Sequence, residues 1–180
     1  MHTRYLMLFC ALCGMPALAD TPFRLSSPDF TDNAHLAPRF AGNAPDNPNC
    51  TGENHSPALN WYDAPANTRS FALLMHDPEG AKGLGVTHLV AYNIPASSSG
   101  FVANDLRDGK GYTGGTNTPG NQRWHGPCPP PGTSPHHYTF TLIASDLEPN
   151  LPAGLTREAL MTRLKGHALG AAGLVGRFSQ

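Results

Sequence analysis

The stretch from Trp124 to Tyr138, WHGPCPPPGTSPHHY, sets a cysteine in a loop of prolines and glycines and then carries two histidines into a strand. Pro127, Pro129, Pro130 and Pro131 fix φ and remove four backbone donors, while Gly126 and Gly132 permit turns or close backbone approach. Such a segment is neither helix nor central strand; it is a preorganised wall suited to a pocket. Imidazoles, with an unperturbed pKa of about 6.5, donate to phosphate or carboxylate oxygens as neutral tautomers, or as cations once an anion's field favours protonation. The chemistry this loop offers is anion binding.

Strands must deliver these groups, and side-chain alternation predicts how. After the loop, Tyr138, Phe140, Leu142 and Ala144 share one face, so His136 extends that face and His137 points away. A second strand, FALLMHD from Phe71 to Asp77, ends an apolar face of Phe71, Leu73 and Met75 in a carboxylate. A third, HLVAYNIP from His88 to Pro95, places His88 on the face of Val90 and Tyr92. Three strand ends therefore carry Asp77, His88 and His136. A bare carboxylate beside a bound phosphate is repulsive, so Asp77 is assigned to orienting or balancing a histidine, whose other ring nitrogen faces the ligand. Tyr138 or Trp124 supplies an apolar or cation-accepting wall. Taken singly, each residue also has a purely structural reading; Asp77 before Pro78, for example, is an ordinary turn start.

Five ordered blocks carry a wider likeness: CTGENHSPALNW from Cys50, FALLMHDPEG from Phe71, THLVAYNIP from Thr87, GPCPPPGTSPHHYTF from Gly126 and GHALGAAGLVGRF from Gly166. With them the chain resembles the phosphatidylethanolamine-binding proteins, in their bacterial Raf-kinase-inhibitor-like branch. The resemblance implies a mainly β fold, an antiparallel β-sandwich with a short C-terminal helix and long loops, and a small anion-accepting pocket at one end. It carries over to Asp77, Pro78, His88, Pro129, Pro130, Gly132, His136 and Tyr138, with Trp124 where the family often has tyrosine. Two departures touch the rim. The Asp-Pro motif runs DPEGA, putting Glu79 at the second acidic position, and His137 stands where arginine is common. His55, His76 and His125 match no role and are read as surface or core-filling groups.

With 180 residues, 19 Gly, 18 Pro and 14% charged residues, the chain suits one turn-rich β domain, read here as residues 20–180. A formal net charge of -1 and the lack of any basic run argue against nucleic acid as a partner. Residues 1–19 read as a cleaved signal peptide: Arg4, an apolar core from Leu6 to Cys13, and Ala17-Leu18-Ala19 before the cut. The mature chain is then periplasmic or secreted, with no transmembrane segment. Export removes Cys10 and Cys13 and leaves Cys50 and Cys128, an even pair that invites a disulfide in an oxidising compartment, the alternative being two buried thiols.

Elsewhere Phe23 to Phe30 reads as an opening strand, Leu174 to Phe178 as a closing one, and Thr156 as the cap of a helix reaching about Lys165 with Leu160 and Leu164 inward. Asn104 to Gln122 is a long Gly/Asn/Thr-rich excursion, a candidate lid or partner surface. Three function classes follow: a non-catalytic module binding a small anionic ligand or phospholipid head group, an exported modulator of a protein target, or a hydrolase using a metal or Ser56 or Ser134. No HExxH, GxSxG or paired CxxC occurs, so neither a metal site nor a cofactor is expected.

Overall fold

A computed structural model describes residues 21–180 of the chain. The leader expected over 1–19, with Cys10 and Cys13, lies outside the described residues. In chain order the elements are β1 (Arg24–Ser26), β2 (Ala34–His35), β3 (Leu59–Tyr62), β4 (Ser70–Asp77), a helical turn α1 (Gly80–Gly83), β5 (Val86–Pro95), β6 (Gly100–Phe101), α2 (Asp105–Asp108), β7 (Thr113–Gly114), β8 (His136–Ser145), α3 (Arg157–Leu164) and β9 (Ala168–Phe178). They form a three-stranded sheet, β1-β3-β6, and a six-stranded sheet, β2-β9-β8-β4-β5-β7. Every pairing is antiparallel except β2 with β9.

The near-continuous apolar run of β4 reflects a strand covered on both faces. Phe71, Leu73 and Met75 join Leu89, Tyr138, Phe140, Leu142 and Leu174 in the core toward the small sheet, where Trp61 and Phe101 close it. Ala72 and Leu74 face the other way, packing with Val90, Tyr92 and Ile143 beneath Leu160 and Leu164 of α3. Those two leucines sit one helical turn apart, and burying each contributes roughly 2 kcal/mol. The cap is as the sequence predicts: the Thr156 hydroxyl accepts from Ala159 N at 3.2 Å.

The end strands differ from expectation. Regular pairing in the first stops at Ser26, because Pro28 has no donor and the Ser27 hydroxyl turns the chain by accepting from Asp29 N at 3.1 Å. The last strand begins six residues earlier than Leu174, at Ala168, and pairs with β8 along its length. Its glycines and alanines disguise it, yet Gly176 is needed: a Cβ there would lie 2.6 Å from Leu36 Cδ2.

Cys50 and Cys128 form a disulfide with 4.7 Å between Cα atoms, tying the loop before β3 to the proline loop before β8. Hydrogen bonds stitch the same two loops together, Gly42 N donating to Pro127 O at 2.9 Å and Gly126 N to Asn54 Oδ1 at 2.8 Å. Gly126 is required here, since a Cβ would come within 2.2 Å of Phe40 O.

Candidate functional site

At one end of the large sheet, β4, β5 and β8 run out beside the proline loop and enclose a cavity of about 250 Å³. Asp77, His88, His136 and Tyr138 line it together with Pro129 and Pro130. Three groups far apart in sequence thus meet at one wall.

Each is delivered by its strand. Asp77 ends β4 and its carboxylate does two jobs. Oδ1 accepts from Glu79 N at 2.9 Å and Gly80 N at 3.0 Å, folding the chain after Pro78 back on itself. Oδ2 lies 2.8 Å from His136 Nδ1. That pairing makes Nδ1 the protonated nitrogen of His136 and leaves Nε2 as its remaining polar atom. Burial pushes the Asp77 carboxyl above the ordinary carboxylate range, opposed by the hydrogen bond and charge of His136. With three hydrogen bonds holding it inside the protein, Asp77 orients the imidazole.

His88 reaches the cavity by a route that strict alternation misses. The register of β4 with β5 shifts by one residue between Met75, opposite Leu89, and His76, opposite Thr87, so His88 is the extra residue of a β-bulge. The bulge takes its ring off the face of Val90 and Tyr92 and sets it edge-on against Tyr138, with ring centroids 5.2 Å apart. His88 Nδ1 donates to His125 O at 2.8 Å, which leaves Nε2 an acceptor in the neutral ring. Burial lowers its pKa to about 4, so the ring is neutral near pH 7.

Tyr138 is fully buried in the wall, yet its hydroxyl has no protein partner. Burial, with the charges of Asp77 and Glu79, pushes its pKa upward, so the group stays a donor. An unmatched buried hydroxyl beside a cavity is a group waiting for an acceptor.

Three of the expected site residues lie elsewhere. Trp124 is buried in the core, stacked on Phe140 at 5.9 Å, because its large apolar surface gains more there than at a solvated rim. Pro78 and Gly132 are exposed and do not line this cavity; Pro78 fixes the turn that closes on Asp77, and Gly132 turns the loop with φ of +75°. His137 points away from the cavity, as alternation predicts, and pairs with Glu79: its N donates to Oε2 at 3.1 Å, and Nδ1 sits 2.9 Å from Oε1. Those bonds outweigh desolvation and hold Glu79 down at about 2.

His125, which the sequence reads as a surface or core-filling group, lines the cavity, its ring stacked 5.8 Å from that of His88. In a loop no periodicity could place it; its His-x-x-Cys spacing to Cys128 was the usable signal. The excursion from Asn104 to Gln122 lends part of the cavity wall as well. Thr118 N donates to Thr87 O at 2.9 Å, and buried Asn117 donates to the carbonyls of His88 and Arg123, which brings Thr118 and Pro119 to the cavity. Ser56 and Ser134 line no part of it. Ser56 is buried and its hydroxyl accepts from Arg107 N.

Comparison with known proteins points the same way as this architecture. The sequence profile of the phosphatidylethanolamine-binding proteins matches residues 26–179. A UPF0098 protein of Methanothermobacter thermautotrophicus is 37% identical over 152 residues, covering 83% of this chain and 93% of that protein. LppC of Mycobacterium tuberculosis, named as a candidate lipoprotein, is 36% identical over 166 residues, covering 91% of this chain and 75% of the relative. The crystal structure of Escherichia coli YbcL, described as a member of the mammalian PEBP family, superposes with a TM-score of 0.80 at 27% identity, covering 89% of this chain and 99% of the other. The chain belongs to the phosphatidylethanolamine-binding protein family.

Proposed function

We propose that this protein is an exported, non-catalytic binding module whose cavity takes a phosphate-bearing group, as inorganic phosphate or as the phosphomonoester of a free head group. The unpartnered Tyr138 hydroxyl carries the reading. An anion seated there accepts from Tyr138 and favours the imidazolium of His136, giving the order Asp77 carboxylate, imidazolium, anion, in which each charge meets its opposite. His88 Nε2 is an acceptor, so it is satisfied by a ligand that still bears a hydroxyl. The monoanion of phosphate or of a phosphate monoester offers both acceptor oxygens and that hydroxyl, whereas a phosphodiester and acetate offer acceptors alone. A phosphate is therefore preferred to a carboxylate. The relative named as a candidate lipoprotein, the leader-like N-terminus and the disulfide support export.

The test is a thermal-shift titration of the mature protein with phosphate, phosphoethanolamine and acetate, since a ligand that binds only the folded state raises its melting temperature. Phosphate and phosphoethanolamine are expected to raise it and acetate to do so less. Tyr138→Phe should weaken phosphate about tenfold or more, the worth of one hydrogen bond to a charged group. A folded protein indifferent to all three anions, or one whose response survives both Tyr138→Phe and His136→Gln, overturns the reading.

A further inference from the structure

The disulfide is not isolated in the wall of the cavity. His125 Nε2 lies 3.7 Å from Cys128 Sγ, and the ligand atoms of Cys50, His125 and Cys128 all fall within 4.8 Å of one another. A tetrahedral zinc ion bound by thiolate at about 2.3 Å and imidazole at about 2.0 Å holds those two atoms roughly 3.5 Å apart. The nitrogen and one sulfur therefore already stand at a metal-bridging separation. The two sulfurs, bonded to each other, are too close, and Cys50 Sγ must separate from Cys128 Sγ to take its own place on the ion.

We propose that reduction of the Cys50–Cys128 bond converts this corner into a site for one zinc ion, held by both sulfurs and His125 Nε2. Cys128 and His125 line the cavity, so the fourth coordination position opens into it, the arrangement of a zinc ion that keeps a place for water or an anion. The protein backbone keeps the thiols together without the covalent bond. Gly42 N to Pro127 O and Gly126 N to Asn54 Oδ1 join the two loops, while Cys50 N donates to Asn47 O at 2.9 Å within its own turn. Gly42 leaves room for the sulfurs, since a Cβ there would stand 2.5 Å from Cys128 Sγ.

The chemistry balances with a phosphine reductant. The phosphorus supplies two electrons to the disulfide and takes an oxygen atom from water, whose two protons end on the sulfurs. Zinc then displaces both protons from the thiols. Neither step draws on the anion reading, and failure of one leaves the other intact.

The experiment treats the full mature chain with tris(2-carboxyethyl)phosphine, removes the phosphine by anaerobic gel filtration, and titrates zinc against a chromophoric competitor, with circular dichroism recording the fold. Oxidised protein is the control, because it keeps every histidine and lacks only the thiols. Reduced protein should take up one equivalent that the oxidised protein does not, and His125→Ala should weaken that uptake by about tenfold or more. Cobalt in place of zinc should give thiolate-to-metal charge-transfer absorption in the near ultraviolet, weakened in Cys50→Ser and lost in the Cys50→Ser, Cys128→Ser double variant. Unfolding on reduction, uptake equal in both redox states, or uptake unchanged in His125→Ala would each overturn the site.

Discussion

His88 gives up hydration to stand in the cavity wall, and its neutral ring, donating to the His125 carbonyl, is what the fold accommodates. Its pKa of about 4 in the folded chain compares with 6.5 when unfolded. Between those values the unfolded chain binds a proton that the folded one refuses, so stability falls as pH drops from about 6.5 to about 4 and is unaffected by this group above 6.5. Two to three pK units amount to about 3 kcal/mol. His88→Asn, whose amide can still donate to that carbonyl, should flatten urea-derived stability over this window by up to that amount. Glu79 acts lower: its depressed carboxylate stabilises above its unfolded pKa near 4.5, and the contribution fades as pH falls toward about 2. Because the Glu79 and His137 side chains are each more than two-fifths exposed, that contribution is small.

Local backbone geometry decides where these side chains end up. The turn α1, which leads from Asp77 to β5, holds Ala81 at φ of +51° and Lys82 at φ of +61°, a left-handed pair without a glycine. Each non-glycine residue there costs roughly 1–2 kcal/mol, tolerated because Gly80 N is pinned to Asp77 and Ala81 must reach the cavity. Lys82 is exposed and takes part in no hydrogen bond or ion pair among the described residues. Lys82→Gly should therefore stabilise by about 1 kcal/mol in urea denaturation while leaving phosphate binding unchanged. At α3 the Thr156 cap satisfies one end donor of the helix that covers the outer face of the sheet, and Thr156→Ala should cost about 1 kcal/mol by the same measurement.

Across the whole molecule, the disulfide spans 78 residues and joins the two loops that wall the cavity. Loop-closure entropy for that span is worth about 4 kcal/mol in the unfolded state. The Cys50→Ser, Cys128→Ser double variant should lose roughly that much, read as a lower denaturant midpoint with a steeper slope, because the unfolded chain without the cross-link is less compact. An unchanged midpoint would mean that the backbone bonds between the loops already hold the closure. The sandwich and the cavity are coupled through this corner, since the proline loop contributes both a wall residue and a core residue, Pro129 and Trp124, five positions apart.

Much of this was written in the sequence because it depends on neighbours in the chain. Alternation placed His136 on the face of Tyr138 and His137 on the other, the apolar run of β4 gave a buried strand, and Thr156 marked its helix. The even pair of cysteines indicated their own bond. Long-range geometry decided the rest. The bulge that re-aims His88 exists only through pairing with β4, so no periodicity within β5 could reveal it. Trp124 moved from rim to core because Phe140 offered it an apolar face, and His125 gained its place from a loop whose path is set by tertiary hydrogen bonds. Residue type and local period fix which chemistry a chain carries; which atoms share a cavity is settled by register and by contacts between distant segments.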